Sequence, residues 1–184
     1  MVELETNRVL IREVLASDAD DFLRYRQVAD YWRHIPIEPP TAESIAALVD
    51  GWIQNQPRNP RTAYNLAAID KRSGQLVGDA GLFVRSIHSR QGEIGWGVIS
   101  GRSGQGFGTE IGHALLRLAF DTLGLHRVFA QCRIENRASR RIMAKLGMRE
   151  EGVLRENVYA RGEWWSSAQS SILSSEWGTA TTAD

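Results

Sequence analysis

Ser103-Gly104-Gln105-Gly106-Phe107-Gly108-Thr109 places three glycines at alternate positions between a strand-like run and a long amphipathic run. Glycine strips side chains from one edge of such a turn, so its N–H groups and those of the following helix start can close around an anion. A phosphate suits this chemistry. Two other glycine loops do not fit. The dinucleotide fingerprint needs glycines at the first, third and sixth positions, yet the sixth from Gly104 is Thr109 and the sixth from Gly106 is Ile111. No Lys-Ser/Thr follows, which removes the P-loop. Further along, Asn136 and Ser139 form an Asn-x-x-Ser spacing. At a helix start such residues cap free N–H groups, and the same hydroxyl can donate to a departing group. Both readings stand on spacing alone. Cys132 lies in an apolar strand without a His-Asp pattern, which reads as a core thiol. His34, His88, His113 and His126 lack metal-ligand spacing, so no metal is expected.

The elements that must hold these residues can be read from periodicity. Arg8 to Val14 alternates as a strand, and Ser17-Asp18-Ala19-Asp20 reads as a helix start capped by Ser17. Pro39-Pro40-Thr41 stops one element and opens another, where Ile45, Leu48, Val49, Trp52 and Ile53 recur at helical spacing. Tyr64 to Asp70 and Leu76 to Val84 flank the turn Lys71-Arg72-Ser73-Gly74-Gln75, and Glu93 to Ile99 is a third extended run, so an antiparallel meander is expected. Gly95 and Gly97 lie inside that run and predict a splayed strand end or a close backbone approach. Ile111, Ala114, Leu115, Leu118 and Ala119 form the apolar face of the helix after the glycine loop, which ends near Gly124. Arg127 to Arg133 reads as a buried strand, Asn136 starts a helix ending at Gly147, and Ala160-Arg161-Gly162-Glu163 turns a second hairpin. Neither an internal repeat nor a linker is visible. Residues 1–178 read as one domain and residues 179–184 as a frayed, flexible tail.

At 184 residues, 42% apolar and 24% charged, the chain suits a single globular domain with one substantial core. Lys plus Arg and Asp plus Glu are both 22, so there is no basic field of the kind that marks a nucleic-acid binder. The first residues carry charges in place of an apolar signal, and no apolar run approaches the roughly 20 residues needed to span a bilayer. A cytoplasmic protein without membrane or nucleic-acid partners is expected. The single Cys132 cannot form an internal disulfide, which agrees with a reducing compartment.

Taken in order, several segments resemble the GCN5-related N-acetyltransferase (GNAT) family, in its RimJ/RimL-like ribosomal-protein N-acetyltransferase branch. They are Thr6-Asn7-Arg8-Val9-Leu10-Ile11-Arg12, the glycine loop with Thr109-Glu110, Asn136-Arg137-Ala138-Ser139, Lys145-Leu146-Gly147-Met148, Leu154-Arg155-Glu156, Gly162-Glu163-Trp164 and Ser175-Glu176-Trp177. The resemblance implies an α/β GNAT fold with a mixed, mostly antiparallel central sheet of about seven strands flanked by about four helices. It also implies acetyl-coenzyme A (acetyl-CoA) as co-substrate, with coenzyme A (CoA) as product. Amides of Gly104, Gln105, Gly106, Phe107, Gly108 and Thr109 would hold the pyrophosphate at a helix N-terminus. The family usually carries Gln or Arg where Ser103 stands, and the neighbouring Arg102 would supply that charge. Backbone groups of Val98 and Ile99 would bond the pantetheine amides and polarise the thioester carbonyl. Asn136 would position the coenzyme arm and Lys145 would complete the cofactor contacts. Many members use a tyrosine seven residues after the Asn as general acid. That position is Met143, which cannot protonate a thiolate, so Ser139 takes its place.

The implied activity moves an acetyl group directly, through a ternary complex, from acetyl-CoA to a primary amine, with a protein N-terminal α-amine as the leading acceptor. An α-amine with a reference pKa near 8 loses its proton more readily than lysine near 10.4, so the demand on a base is modest. Glu93 and Glu156, acting through water, are the candidates, with solvated surface carboxylates as the alternative. Tyr31, Trp32, Trp164 and Trp165 could line an acceptor groove or simply pack, and the two later tryptophans could equally meet a second subunit in a homodimer. Two alternatives stay open: a small-amine acetyltransferase acting on a polyamine, amino acid or amino-sugar antibiotic, and a non-catalytic CoA-binding regulatory module.

Overall fold

A computed structural model describes residues 1–36 and 41–178. The Pro39-Pro40 stop and the tail at 179–184 lie outside the described residues. The strands are β1 (Glu3–Glu5), β2 (Val9–Glu13), β3 (Ala63–Asp70), β4 (Leu76–Ser86), β5 (Gln91–Val98), β6 (Arg127–Arg133), β7 (Arg149–Ala160) and β8 (Glu163–Leu173). The helices are α1 (Ala19–Arg26), α2 (Ala42–Asn55), α3 (Phe107–Arg117), α4 (Arg137–Lys145) and α5 (Ser174–Trp177). All eight strands form one sheet in the order β1-β2-β3-β4-β5-β6-β8-β7. Every neighbouring pair is antiparallel except β5 and β6, which α3 connects. This is the mixed, mostly antiparallel α/β sheet that the sequence predicts, with one strand more. The additional strand is the three-residue β1, too short to show alternation, which pairs Glu3 with Arg12.

Burial follows the periodicities. In β2, Val9, Ile11 and Glu13 are buried on alternate positions. Glu13 survives there because Arg61 meets it with two bonds of 2.6 and 3.0 Å and the Val2 N–H adds a third. One face of the sheet packs Val9, Ile11, Leu66, Leu82 and Ile94 against Ile111, Leu115 and Met143 of α3 and α4. The other face packs Ala67 and Ile69 against Phe22, Tyr25, Ile45 and Val49 of α1 and α2. Ser17 does not cap the first helix as expected. A 3-10 turn over Ala16–Asp18 precedes α1, and Asp18 takes the Leu15 N–H at 2.8 Å together with both Nη atoms of Arg12. A carboxylate one residue later wins because it can accept all three donors at once. Gly124 and Gly147, at φ of +61° and +75°, end the helical segments as predicted.

The feature that makes a site is a parting of the sheet. β5 and β6 pair only at Gln91 with Arg127, Gly92 with Val128 and Glu93 with Phe129. Beyond Glu93, β5 stays with β4 as far as Val98, whereas β6 stays with β8 as far as Arg133. Two glycines let β5 lean away. A Cβ on Gly78 would stand 2.0 Å from the Gly97 carbonyl oxygen, and one on Gly97 would stand 2.2 Å from Tyr25 Oη and 2.4 Å from Asp79 Oδ1. No helix among the described residues is long and apolar enough to cross a membrane.

Candidate active site

The parting opens into a cleft of about 630 Å³ that runs between the C-terminal end of β5, the glycine loop and the first turns of α4. Trp96, Gly97, Val98, Arg102, Gly104, Gly106, Phe107, Gly108, Thr109, Asn136, Ser139 and Lys145 line it, together with Tyr31. The structure therefore gathers most of the expected cofactor residues in one place, although they span three separate stretches of sequence.

In the loop, Gly104 and Gly106 take φ of +78° and +90°, where a side chain is strained. The Ser103 N–H bonds Ser100 O, and those of Thr109 and Glu110 bond Gly106 O. The five N–H groups between them, from Gly104 to Gly108, have no backbone acceptor among the described residues. Five consecutive free donors at the start of α3 are the fit an anion requires. The loop is pinned from behind. Arg8 Nη2 donates to Gln105 O at 2.9 Å, Arg8 Nε to Glu110 Oε1 at 2.5 Å, and its guanidinium lies 4.6 Å over the Phe107 ring. Burial raises the pKa of Glu110, but hydrogen bonds from Thr6 and Arg8 outweigh it and hold the carboxyl below its usual value. Arg102 lines the cleft, and its Nη2 reaches Asp70 Oδ2 at 3.2 Å. Gln105 turns its carboxamide to Gly101 O at 3.3 Å and is not among the residues that line the cleft.

On the β5 arm, the expectation that Val98 and Ile99 both offer backbone groups divides. The Ile99 N–H donates to Val77 O at 2.9 Å, and the Ile99 carbonyl accepts from Arg102 N at 2.8 Å, so both of its groups are engaged. Alternation then turns the Val98 N–H away from β4 and towards the gap. On the opposite arm, Asn136 caps α4 by accepting the Ser139 N–H at 3.1 Å. The Cys132 thiol sits beneath that turn, 3.9 Å from Asn136 O, half-buried instead of being a full core residue. Burial pushes the thiol pKa up, with Ser139 acting in the other direction. Cys132 is thus a poor nucleophile. Met143 is 1% exposed and belongs to the core under α4, so the position where the resembled family often carries a tyrosine is turned away from the cleft here.

Other expected residues lie elsewhere. Glu93 is held by Arg85 at 2.7 Å at the closed end of the parting, and Glu156 lies on the exposed edge strand β7 at φ +47°. Neither lines the cleft. Trp32 is 2% exposed and donates its indole N–H to Arg26 O, which makes it a packing residue beside the cleft-lining Tyr31. Trp165 is buried under Arg133, 3.9 Å above its ring, and Trp164 is exposed against Tyr159. The hairpin carrying them approaches the cleft through Arg161, which donates to Trp32 O and Ile35 O. Sequence reasoning missed Asp79, Arg26 and Tyr25 behind Gly97. The signal was available in Leu76-Val77-Gly78-Asp79-Ala80-Gly81-Leu82, where a lone carboxylate in an apolar strand must have a buried partner. Among the described residues no group of three or more His, Cys, Asp or Glu could hold a metal.

Residues 8–149 match the family model described as Acetyltransferase (GNAT) domain. An uncharacterised N-acetyltransferase, YnaD of Bacillus subtilis (strain 168), is 30% identical over 176 residues, covering 96% of this chain and 99% of that protein. The [ribosomal protein uS5]-alanine N-acetyltransferase of Escherichia coli (strain K12) is 26% identical, covering 96% of this chain and 93% of that one. Among solved structures, a GNAT-family acetyltransferase from Bacillus anthracis superposes with a TM-score of 0.83 at 27% identity, over 95% of this chain and 99% of the other.

Proposed function

The chain belongs to the GNAT acetyltransferase family and is an acetyl-CoA-dependent N-acetyltransferase, and from that premise we propose that it acetylates protein N-terminal α-amines by direct transfer in a ternary complex. The observation that carries the transfer chemistry is the parted sheet. A free Val98 N–H stands on one arm, Asn136 and Ser139 on the other, and five free loop amides close the end. Bound acetyl-CoA supplies an activated acyl carbon. The loop amides hold its pyrophosphate, with Arg102 and Lys145 adding positive charge on either side. The Val98 N–H stabilises the developing oxyanion, a role whose loss typically costs on the order of a hundredfold in rate. Ser139 donates to the departing thiolate. Acceptor choice is supported by the relative that acts on an alanine of ribosomal protein uS5, which is similar over nearly its whole length.

Steady-state acetylation of alanine-starting peptides, measured beside spermidine and free amino acids, tests the acceptor. A peptide kcat/KM at least about tenfold above the small amines is the expected result, and a preference for a small amine would replace this reading. Ser139→Ala should lower kcat by about tenfold or more while leaving acetyl-CoA affinity intact, because general acids contribute roughly 10²- to 10⁴-fold and water can partly substitute. Unchanged turnover would remove Ser139 from the mechanism. Arg8→Ala should raise the KM for acetyl-CoA by about tenfold, the scale of one charge-assisted hydrogen bond, with little change in kcat. An unaltered KM would show that the loop holds its shape without Arg8.

A further inference from the structure

Behind Gly97 lies a polar cluster with no part in the chemistry above. Arg26, 8% exposed, donates from Nη2 to Asp79 Oδ2 at 2.5 Å, and Tyr31 Oη donates to the same oxygen at 3.2 Å. Tyr25 is 4% exposed, and its Oη has no hydrogen-bond partner among the described residues. Tyr25 Oη and Asp79 Oδ1 both occupy the space that a Cβ on Gly97 would need. Gly97 and Tyr31 line the cleft, and Gly97 adjoins the Val98 N–H assigned to the thioester carbonyl. An amine attacking that carbonyl must come within reach of this wall. Asp79 lies behind the lining; the carboxylate on the lining itself, Glu135, has a side chain 57% exposed and turned to Arg133 at 2.9 Å.

Resting on the acetyl-transfer reading, we propose that Tyr31 and Asp79 form the proton exit for the acceptor amine. One ammonium proton passes to Tyr31 Oη as the Tyr31 hydroxyl proton passes to Asp79 Oδ2. The freed nitrogen lone pair then forms the bond to the acyl carbon, the C–S bond breaks, and the electron pair leaves with sulfur, which takes the Ser139 hydroxyl proton; the second nitrogen proton, shed as the amide forms, restores that hydroxyl. Asp79, its side chain 17% exposed, returns the proton to water. Tyr31 is the group that touches the amine, and Asp79 acts through it. Arg26 holds the Asp79 carboxylate in place through Oδ2. Burial, reinforced by the Asp79 charge, raises the Tyr31 pKa, so the hydroxyl stays neutral and relays protons without becoming a phenolate. The charged or titratable groups around the pair are Tyr25 and Arg26 from α1, Arg33 and His34 on the same turn as Tyr31, and Arg161 from the β7–β8 tip.

The test is a pH–rate profile of Tyr31→Phe and Asp79→Asn with saturating acetyl-CoA and whichever amine the wild type acetylates. At pH 7, kcat/KM for the amine should fall on the order of a hundredfold, the usual worth of a positioned base. One to two pH units above the acceptor's own pKa, near 8 for an α-amine, the free amine no longer needs the relay and the deficit should shrink to a few-fold. Calorimetric affinity for acetyl-CoA should be unchanged. A deficit that is constant across pH means the cluster only shapes the wall, and no deficit means it is idle; either overturns the relay. Tyr31→Phe removes a single oxygen and keeps the ring, so it decides the matter even where Asp79→Asn disturbs Arg26. A wild type that binds acetyl-CoA but acetylates no amine would instead overturn the acetyl-transfer reading, and the relay with it.

Discussion

Gly106→Glu is expected to abolish measurable acetyl-CoA binding in a calorimetric titration, with NAD and ATP as ligand controls. Three effects coincide at that residue. Its φ of +90° is a conformation that costs an L-residue about 1–2 kcal/mol. A Cβ there would stand 3.0 Å from Arg8 Nη2, the cation that pins the loop through Gln105 and Glu110. The new carboxylate would also stand where the pyrophosphate is to be held. Two opposed unit charges of like sign about 4 Å apart cost about 4 kcal/mol at an effective dielectric of 20, close to three decades in Kd. Gly106→Ala separates the contributions, since it carries the backbone strain without the charge and should weaken binding by about tenfold. Tight binding retained by Gly106→Glu would refute the anion cradle and leave the glycine loop as a structural turn.

How much of this was legible depended on whether a signal is local. The loop, the apolar face of α3 and the Asn136 cap are local, and each lies where its residue pattern puts it. Of the two glycines that foreshadow the parting of β5 from β6, Gly97 marks a backbone that approaches something closely, whereas a Cβ on Gly95 would meet nothing within 4 Å. Pairing partners are not local. Whether the Val98 or the Ile99 N–H is free depends on which neighbour β4 engages, and only the register of Ile99 with Val77 decides it. Glu93 and Glu156 were plausible bases by residue type, but one lies at the closed end of the parting beside Arg85 and the other on an edge strand. Tyr31 and Trp32 are adjacent in sequence yet divide between cleft wall and core, because the 3-10 turn that carries them aims successive side chains in different directions. The Arg26–Asp79 pair spans 53 positions, and nothing in either segment names the other.

The same strand geometry makes Gly78→Ala the substitution with the largest expected effect on the fold and site together. A Cβ at Gly78 would stand 2.0 Å from the Gly97 carbonyl oxygen, 3.1 Å from its carbon and 3.3 Å from Val98 Cα. All three are main-chain atoms, so no rotamer can relieve the overlap and the end of the β4–β5 ladder at Gly78 and Val98 must open. Overpacking of this kind costs about 1–3 kcal/mol, or about 2–12 °C in Tm for a chain of this size. The displaced segment carries the Val98 N–H, so kcat should fall on the order of a hundredfold even well below the new Tm. Gly95→Ala, on the neighbouring strand β5, is the control. Its Cβ would meet nothing within 4 Å and its φ is not in the left-handed region, so it should leave both Tm and kcat close to wild type. Thermal melts and initial rates on the pair decide the point. If Gly78→Ala matched Gly95→Ala in both, the close approach of β4 and β5 would not be what holds the parted strand in place.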